Sequence, residues 1–150
     1  MNIATAPNAS TVPTLRLHRD IAASAEELFD AWLDAESISQ WMHPTPIERT
    51  VATVDARVGG RFEFIMYLNG QPLPHTGRYI RIDRPSQLIF TWNSHATQDK
   101  DTLVTVDFEA RGELTRITIT HEKLKDAETL RKHEGGWSSI LEEIGRKFGR

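Results

Sequence analysis

The sequence predicts an α+β domain in which a curved antiparallel sheet of about seven strands wraps around one long C-terminal helix, with two short helices after the first strand. Three observations carry this. Between Asp126 and Phe148, the residues Leu130, His133, Trp137, Ile140, Leu141, Ile144 and Phe148 recur at spacings of three and four, one face of an α-helix. Between Ile47 and His121 the pattern switches to period-two runs separated by turn signals, the signature of hairpins. A helix that follows such strands has an apolar stripe to bury, and the apolar face of the sheet is the surface large enough to bury it.

Taken in order, Thr14–Asp20 alternates Leu15, Leu17 and Arg19 with Arg16, His18 and Asp20, and reads as a strand near a sheet edge. Ser24-Ala25-Glu26-Glu27 forms a capping box, the serine hydroxyl accepting from the Glu27 amide while the Glu27 carboxylate reaches back. Leu28, Phe29, Trp32 and Leu33 give the first short helix its apolar face. A second runs from about Asp34 to Met42 with Ile38, Trp41 and Met42 inward, and His43-Pro44-Thr45-Pro46 ends it.

Strands then follow at Ile47–Asp55 and Arg61–Tyr67, parted by a turn at Val58-Gly59-Gly60. Asn69-Gly70 closes a hairpin into a strand at His75–Ile82, with Gly77, Tyr79 and Arg81 on one face. Pro85-Ser86 turns into Leu88–Trp92, a polar loop spans Asn93–Asp101, and Val104–Glu109 and Ile117–His121 are the last two strands, joined through Arg111-Gly112-Glu113. The glycine pair Gly135-Gly136 inside the final helix costs about 1 kcal/mol per residue relative to alanine. It predicts a close approach to the backbone there, or a bend or start of the helix. Beside His133 and directly before Trp137, the pair would let backbone meet sheet or ligand at a cavity mouth.

At 150 residues, 39% hydrophobic and 26% charged, the chain is one globular domain over 14–150 preceded by a disordered tail, 1–13. Its net charge of −3 and lack of a basic block argue against nucleic acid as a partner. With no cysteine there is no disulfide, thiol nucleophile or cysteine-based metal site. The tail has neither the basic start nor the apolar run of a secretory signal, and no stretch is long and apolar enough for membrane insertion, so the expected location is the cytoplasm.

Five stretches together resemble the START-related superfamily, SRPBCC, with the helix-grip fold also seen in birch-pollen allergens. They are Phe29–Trp41, Val58–Met66, Gly77–Trp92, Thr118–His121 and His133-Glu134-Gly135-Gly136-Trp137 with Leu141. Within it the chain looks most like the branch named for homologues of the activator of the heat-shock chaperone ATPase, over roughly Leu15–Phe148. The resemblance implies a START-like helix-grip fold. It spans lipid carriers, hormone receptors, polyketide cyclases and co-chaperone domains, so it does not by itself fix a function. The eukaryotic co-chaperone that names the branch carries an additional N-terminal domain for which 150 residues leave no room.

Candidate sites follow from the inward faces. Trp41, Phe62, Phe64, Met66, Tyr79, Trp92, Trp137 and Leu141 line either a pocket for a hydrophobic or aromatic molecule, lipid or polyketide-like, or a filled core. His121 and His133 with Tyr79 would orient the ligand's polar end. The histidines at 75, 121 and 133 are spaced by 46 and 12, which is no metal-ligand motif, and no metal or cofactor is expected. Tyr79 with His75 or His133 could act on a polarised carbonyl in a cyclase-like or hydrolytic enzyme, but no nucleophile elbow or inward carboxylate pair accompanies them, so no catalytic residue is assigned. The expected partner is a small hydrophobic ligand, held by a monomer or homodimer. The alternative partner is a chaperone or other protein, which calls for a large exposed patch on the outer sheet face.

Overall fold

The structure, a computed structural model, describes residues 13–150, so the expected tail up to Val12 lies outside the described residues. The elements are β1 (Leu15–Ile21), α1 (Ala25–Ala31), α2 (Ala35–Trp41), β2 (Arg49–Val54), β3 (Arg61–Leu68), β4 (Gln71–Asp83), β5 (Gln87–Trp92), β6 (Thr102–Arg111), β7 (Leu114–Glu122) and α3 (Ala127–Phe148). The seven strands form one sheet in the order β1-β7-β6-β5-β4-β3-β2. Every neighbouring pair is antiparallel, and β1 closes against β7, the last strand, to take one edge of the sheet. The expected architecture is the one observed.

Local chemistry sets the boundaries. Asp34 and Asp126 cap α2 and α3, their carboxylates accepting from the amides of Ser37 (3.0 Å) and Thr129 (2.8 Å). At α1 only half of the capping box forms: the Ser24 hydroxyl accepts from Glu27 N at 3.1 Å, but the Glu27 carboxylate turns away to Arg150, 3.2 Å distant. The guanidinium near the C-terminus competes successfully for that carboxylate. Asn69 (φ 52°) and Gly70 (φ 77°) both take the left-handed conformation of a tight hairpin, and the Glu48 carboxylate accepts from both of their amides.

Strand β4 departs from expectation twice. It starts at Gln71 rather than near His75, through Pro72 and Pro74. These prolines are tolerated because residues 71–78 ladder with β3, while on the other side this half of the strand makes only the isolated bridge Thr76–Asn93 among the described residues. A bulge between Tyr79 and Arg81 then breaks the alternation against β5, so Tyr79 is buried while Arg81, expected on the same face, is exposed. Gly77 is a position where packing forbids a side chain, because a Cβ there would overlap the Thr91 carbonyl oxygen and the Phe62 ring; Gly60, against the Asp55 carbonyl, is another. The polar loop after β5 contains a short 3-10 turn, His95–Thr97, in which the N-cap Ser94 and the last residue Thr97 are buried and form a capping box.

One hydrophobic cluster joins the inner sheet face to all three helices. Aromatic rings dominate it: Phe62 stacks on Phe64 at 4.5 Å, Trp32 meets Trp41 at 4.8 Å, and Trp92 meets Trp137 at 5.1 Å. Burying each such side chain contributes about 1.5–3 kcal/mol or more, which is what holds α3 against the sheet. No helix among the described residues is long and apolar enough to cross a membrane.

Candidate functional site

At one end of the core a cleft of about 480 Å³ opens between sheet and helix. The α2–β2 connection contributes Pro44, Thr45, Pro46 and Ile47 to its wall. The sheet contributes Met66 from β3, Leu73 and His75 from β4, Trp92 from β5, and Ala96 just beyond. The opposite wall is the first half of α3: Arg131, Lys132, His133, Gly135, Gly136, Trp137 and Ile140. The connection is held in place by its own turn, Ile47 N donating to Pro44 O at 2.7 Å, and by Thr45 N donating to the Ser139 hydroxyl of α3 at 2.9 Å.

The glycine pair behaves differently from the expectation of a close approach, bend or helix start. Helix α3 runs unbroken through Gly135 and Gly136, and a Cβ added at either would meet nothing within 4 Å. Their missing side chains leave room in the cleft rather than admitting a neighbouring backbone. In α3 the glycine that does face a close neighbour is Gly145, whose Cβ would stand 2.9 Å from Arg19 Nε.

Of the residues expected to bind a ligand, Met66, Trp92, His133 and Trp137 share this wall. Trp41, Phe62, Phe64, Tyr79, His121 and Leu141 do not line it, although burial does not separate the two sets, because Met66, Trp92 and Trp137 are themselves only 2–3% exposed. Tyr79 makes no pair with His75 or His133: its hydroxyl is buried without a hydrogen-bond partner, and burial pushes the phenol well above its ordinary pKa. His121 belongs to a closed relay. Trp137 Nε1 donates to its Nδ1 at 3.0 Å, which leaves Nε2 protonated and donating to the Thr102 hydroxyl at 2.7 Å. That hydroxyl donates in turn to the Trp92 carbonyl at 2.7 Å. Both ring nitrogens are thus occupied in a neutral imidazole, and burial, with nearby His133, pulls the His121 pKa down to about 3. The relay ties β5, β6, β7 and α3 together directly behind the cleft.

His133 differs. Its Nδ1 donates to the Thr129 carbonyl one turn earlier at 2.9 Å, so the neutral ring presents Nε2 as an acceptor, and among the described residues that atom has no partner. His75 similarly donates from Nδ1 to Leu73 O at 2.9 Å. Desolvation lowers the pKa of both rings, so both are neutral at neutral pH. Among the described residues no group of three His, Asp or Glu is placed to hold a metal ion, and the relay leaves His121 without a free nitrogen to offer one.

Residue patterns missed much of this wall. Pro44-Thr45-Pro46 read only as a helix stop and Ile47 as the start of a strand, while Leu73, Ala96 and Arg131 drew no reading at all. Only the glycine pair, costly wherever it sits in a helix, signalled an unusual surface at that end.

A seven-stranded antiparallel sheet around a C-terminal helix, with a cleft opening where the two meet, defines a protein of the helix-grip class. The chain belongs to the family described as Activator of Hsp90 ATPase homolog 1-like protein, whose profile matches residues 22–149. An AHSA1 protein from Silicibacter pomeroyi is 28% identical, with a TM-score of 0.75 over 90% of this chain and 96% of its own. A Chromobacterium violaceum protein is 25% identical, with a TM-score of 0.77 and the same coverage of 90% and 96%. An HSP90 activator from Plasmodium falciparum shares the fold at 21% identity, with a TM-score of 0.71 over 87% of this chain and 92% of that one. No curated protein matches.

Proposed function

We propose that the chain binds a small hydrophobic or aromatic molecule in the cleft between the sheet and α3. The observation that carries this reading is the wall itself: Met66, Trp92, Trp137 and Ile140 face the same space as two helical glycines whose side-chain directions are empty. A helix that only packed against a sheet would gain from alanine at both positions. The volume of about 480 Å³ suits a molecule of ordinary cofactor or lipid-fragment size. Apolar burial supplies the affinity, and the free Nε2 of His133 accepts a hydrogen bond from the bound molecule.

Thermal-shift screening of lipids and aromatic polyketides tests this, with native mass spectrometry to detect any ligand retained through purification. A binder at a hundredfold its Kd adds about 2.7 kcal/mol to stability. Gly136→Leu, which extends a side chain into the cleft, abolishes the shift while the variant stays folded. Failure of every compound to move the wild-type melting temperature would sink the proposal.

The family and the P. falciparum HSP90 activator favour a second reading, a co-chaperone-type interaction module. The exposed large apolar residues on offer are Val51 on β2, Val58 before β3, Leu73 and Ile80 seven residues apart on β4, and Leu114 on β7, and the outer sheet face carries charge pairs such as Arg116–Asp20. Stimulation of a chaperone's ATPase by the purified chain, retained in Gly136→Leu, would select this reading over ligand binding.

A further inference from the structure

Resting on the cleft as the binding site, we infer that its ligand is an anion: an apolar or aromatic molecule carrying a carboxylate or an equivalent acidic group at the cleft mouth. The charge of the wall carries the inference. The chain holds 21 acidic residues against 18 lysines and arginines, so an average patch would be mixed or negative. Yet the charged residues that line the cleft are two cations, Arg131 and Lys132, without one Asp or Glu.

The cations are also available. Among the described residues no carboxylate pairs with Arg131, a state it shares with Arg16, Arg19, Arg49, Arg61 and Arg78, but of these six only Arg131 lines the cleft. Lys132 meets Glu128 only at 3.6 Å, with both side chains largely exposed, a contact that a bound carboxylate can replace at little cost. Arg131 and Lys132 lie one turn before Gly135 and Gly136 on the same helix, so a molecule occupying the space left by the glycines ends beside them. The opposite end of the wall is apolar, with Met66, Trp92 and Ile140. A carboxylate fits this polarity, because it places its charge by a guanidinium suited to bidentate pairing and its carbon skeleton against the rings. A cationic amphiphile would face two like charges, and a neutral one would leave them unused.

The test uses two matched probe pairs, decanoate with 1-decanol and 2-naphthoate with 2-naphthalenemethanol, titrated against the full chain. Tryptophan emission provides the readout, since Trp92 and Trp137 stand in the wall. In at least one pair the acid is expected to bind about tenfold tighter than its alcohol, a single charge-assisted contact's worth, and the preference shrinks as salt rises. Arg131→Gln with Lys132→Gln removes the preference, bringing acid and alcohol to the same affinity. Both positions are exposed, so an unchanged melting temperature verifies the fold. An alcohol that binds as tightly as its acid overturns the anion inference and leaves apolar binding standing. If neither member of either pair binds, the cleft reading falls and the inference with it. A preference for the acid that survives the double substitution also overturns the inference, because the charge is then read elsewhere.

Discussion

Replacing Gly135 and Gly136 with alanine is expected to stabilise the chain while impairing its binding site. Both residues lie in the interior of α3, and neither has the positive φ that would strain an L-residue. A new Cβ at either meets no atom within 4 Å, so no packing term opposes the change. What remains is backbone entropy, about 0.4–1 kcal/mol per substitution when the native conformation suits alanine. The double variant should gain about 1–2 kcal/mol, which for a domain of this size raises the melting temperature by about 2–8 °C. Circular dichroism melts and urea titrations of the single and double variants measure this, with the urea m-value as a check that the unfolded reference is unchanged. The same variants lose affinity for any compound that stabilises the wild type, because the methyl groups occupy the cleft wall. A fall in melting temperature would refute the reasoning, since it would mean that something packs where open space is observed. Unaltered ligand affinity in a stabilised variant would place the bound molecule elsewhere.

Further outcomes follow from the surroundings of the site. Gly77→Ala has the opposite sign: its Cβ would overlap the Thr91 carbonyl and the Phe62 ring, and urea unfolding should show a loss of about 1–3 kcal/mol. His121→Leu leaves the indole N–H of Trp137 buried without an acceptor and should cost about 1–3 kcal/mol in the same assay. The histidines also make the fold acid-sensitive before its carboxylates do. His75, His121 and His133 all titrate below their ordinary value of 6.5 in the folded chain, His121 down to about 3, so the unfolded chain takes up protons that the folded one refuses. Stability is therefore full above pH 6.5 and falls as pH drops toward 3, by up to about 1.4 kcal/mol per pH unit for each fully shifted ring. Urea midpoints should decline between pH 6.5 and 4.5, where Asp20, Asp30 and Asp126 are still ionised, and a flat profile there would contradict the buried neutral relay. Loss of the helix cap in Asp126→Ala should cost about 1 kcal/mol.

Local periodicity alone determined the order of elements, the faces of α3 and of most strands, and the hairpin at Asn69-Gly70. These rest on interactions between residues a few positions apart, so they are legible wherever the chain goes. The bulge after Tyr79 and the lost half of the Ser24 capping box were not, because β5 sets one and Arg150 the other. Only the tertiary structure separated wall from core. Phe62, Phe64 and Met66 alternate on the same face of one strand, yet Met66 alone borders the cleft. Period reports which side of the sheet a residue takes, not how far along that side the packed layers close. The neutral relay through His121 needed Thr102 and Trp137 from two other elements, and the cationic mouth depends on Arg131 standing where no carboxylate was brought to meet it. The glycine pair lies between the two kinds of knowledge: its cost was written in the sequence, and the open space beside it only in the packed structure.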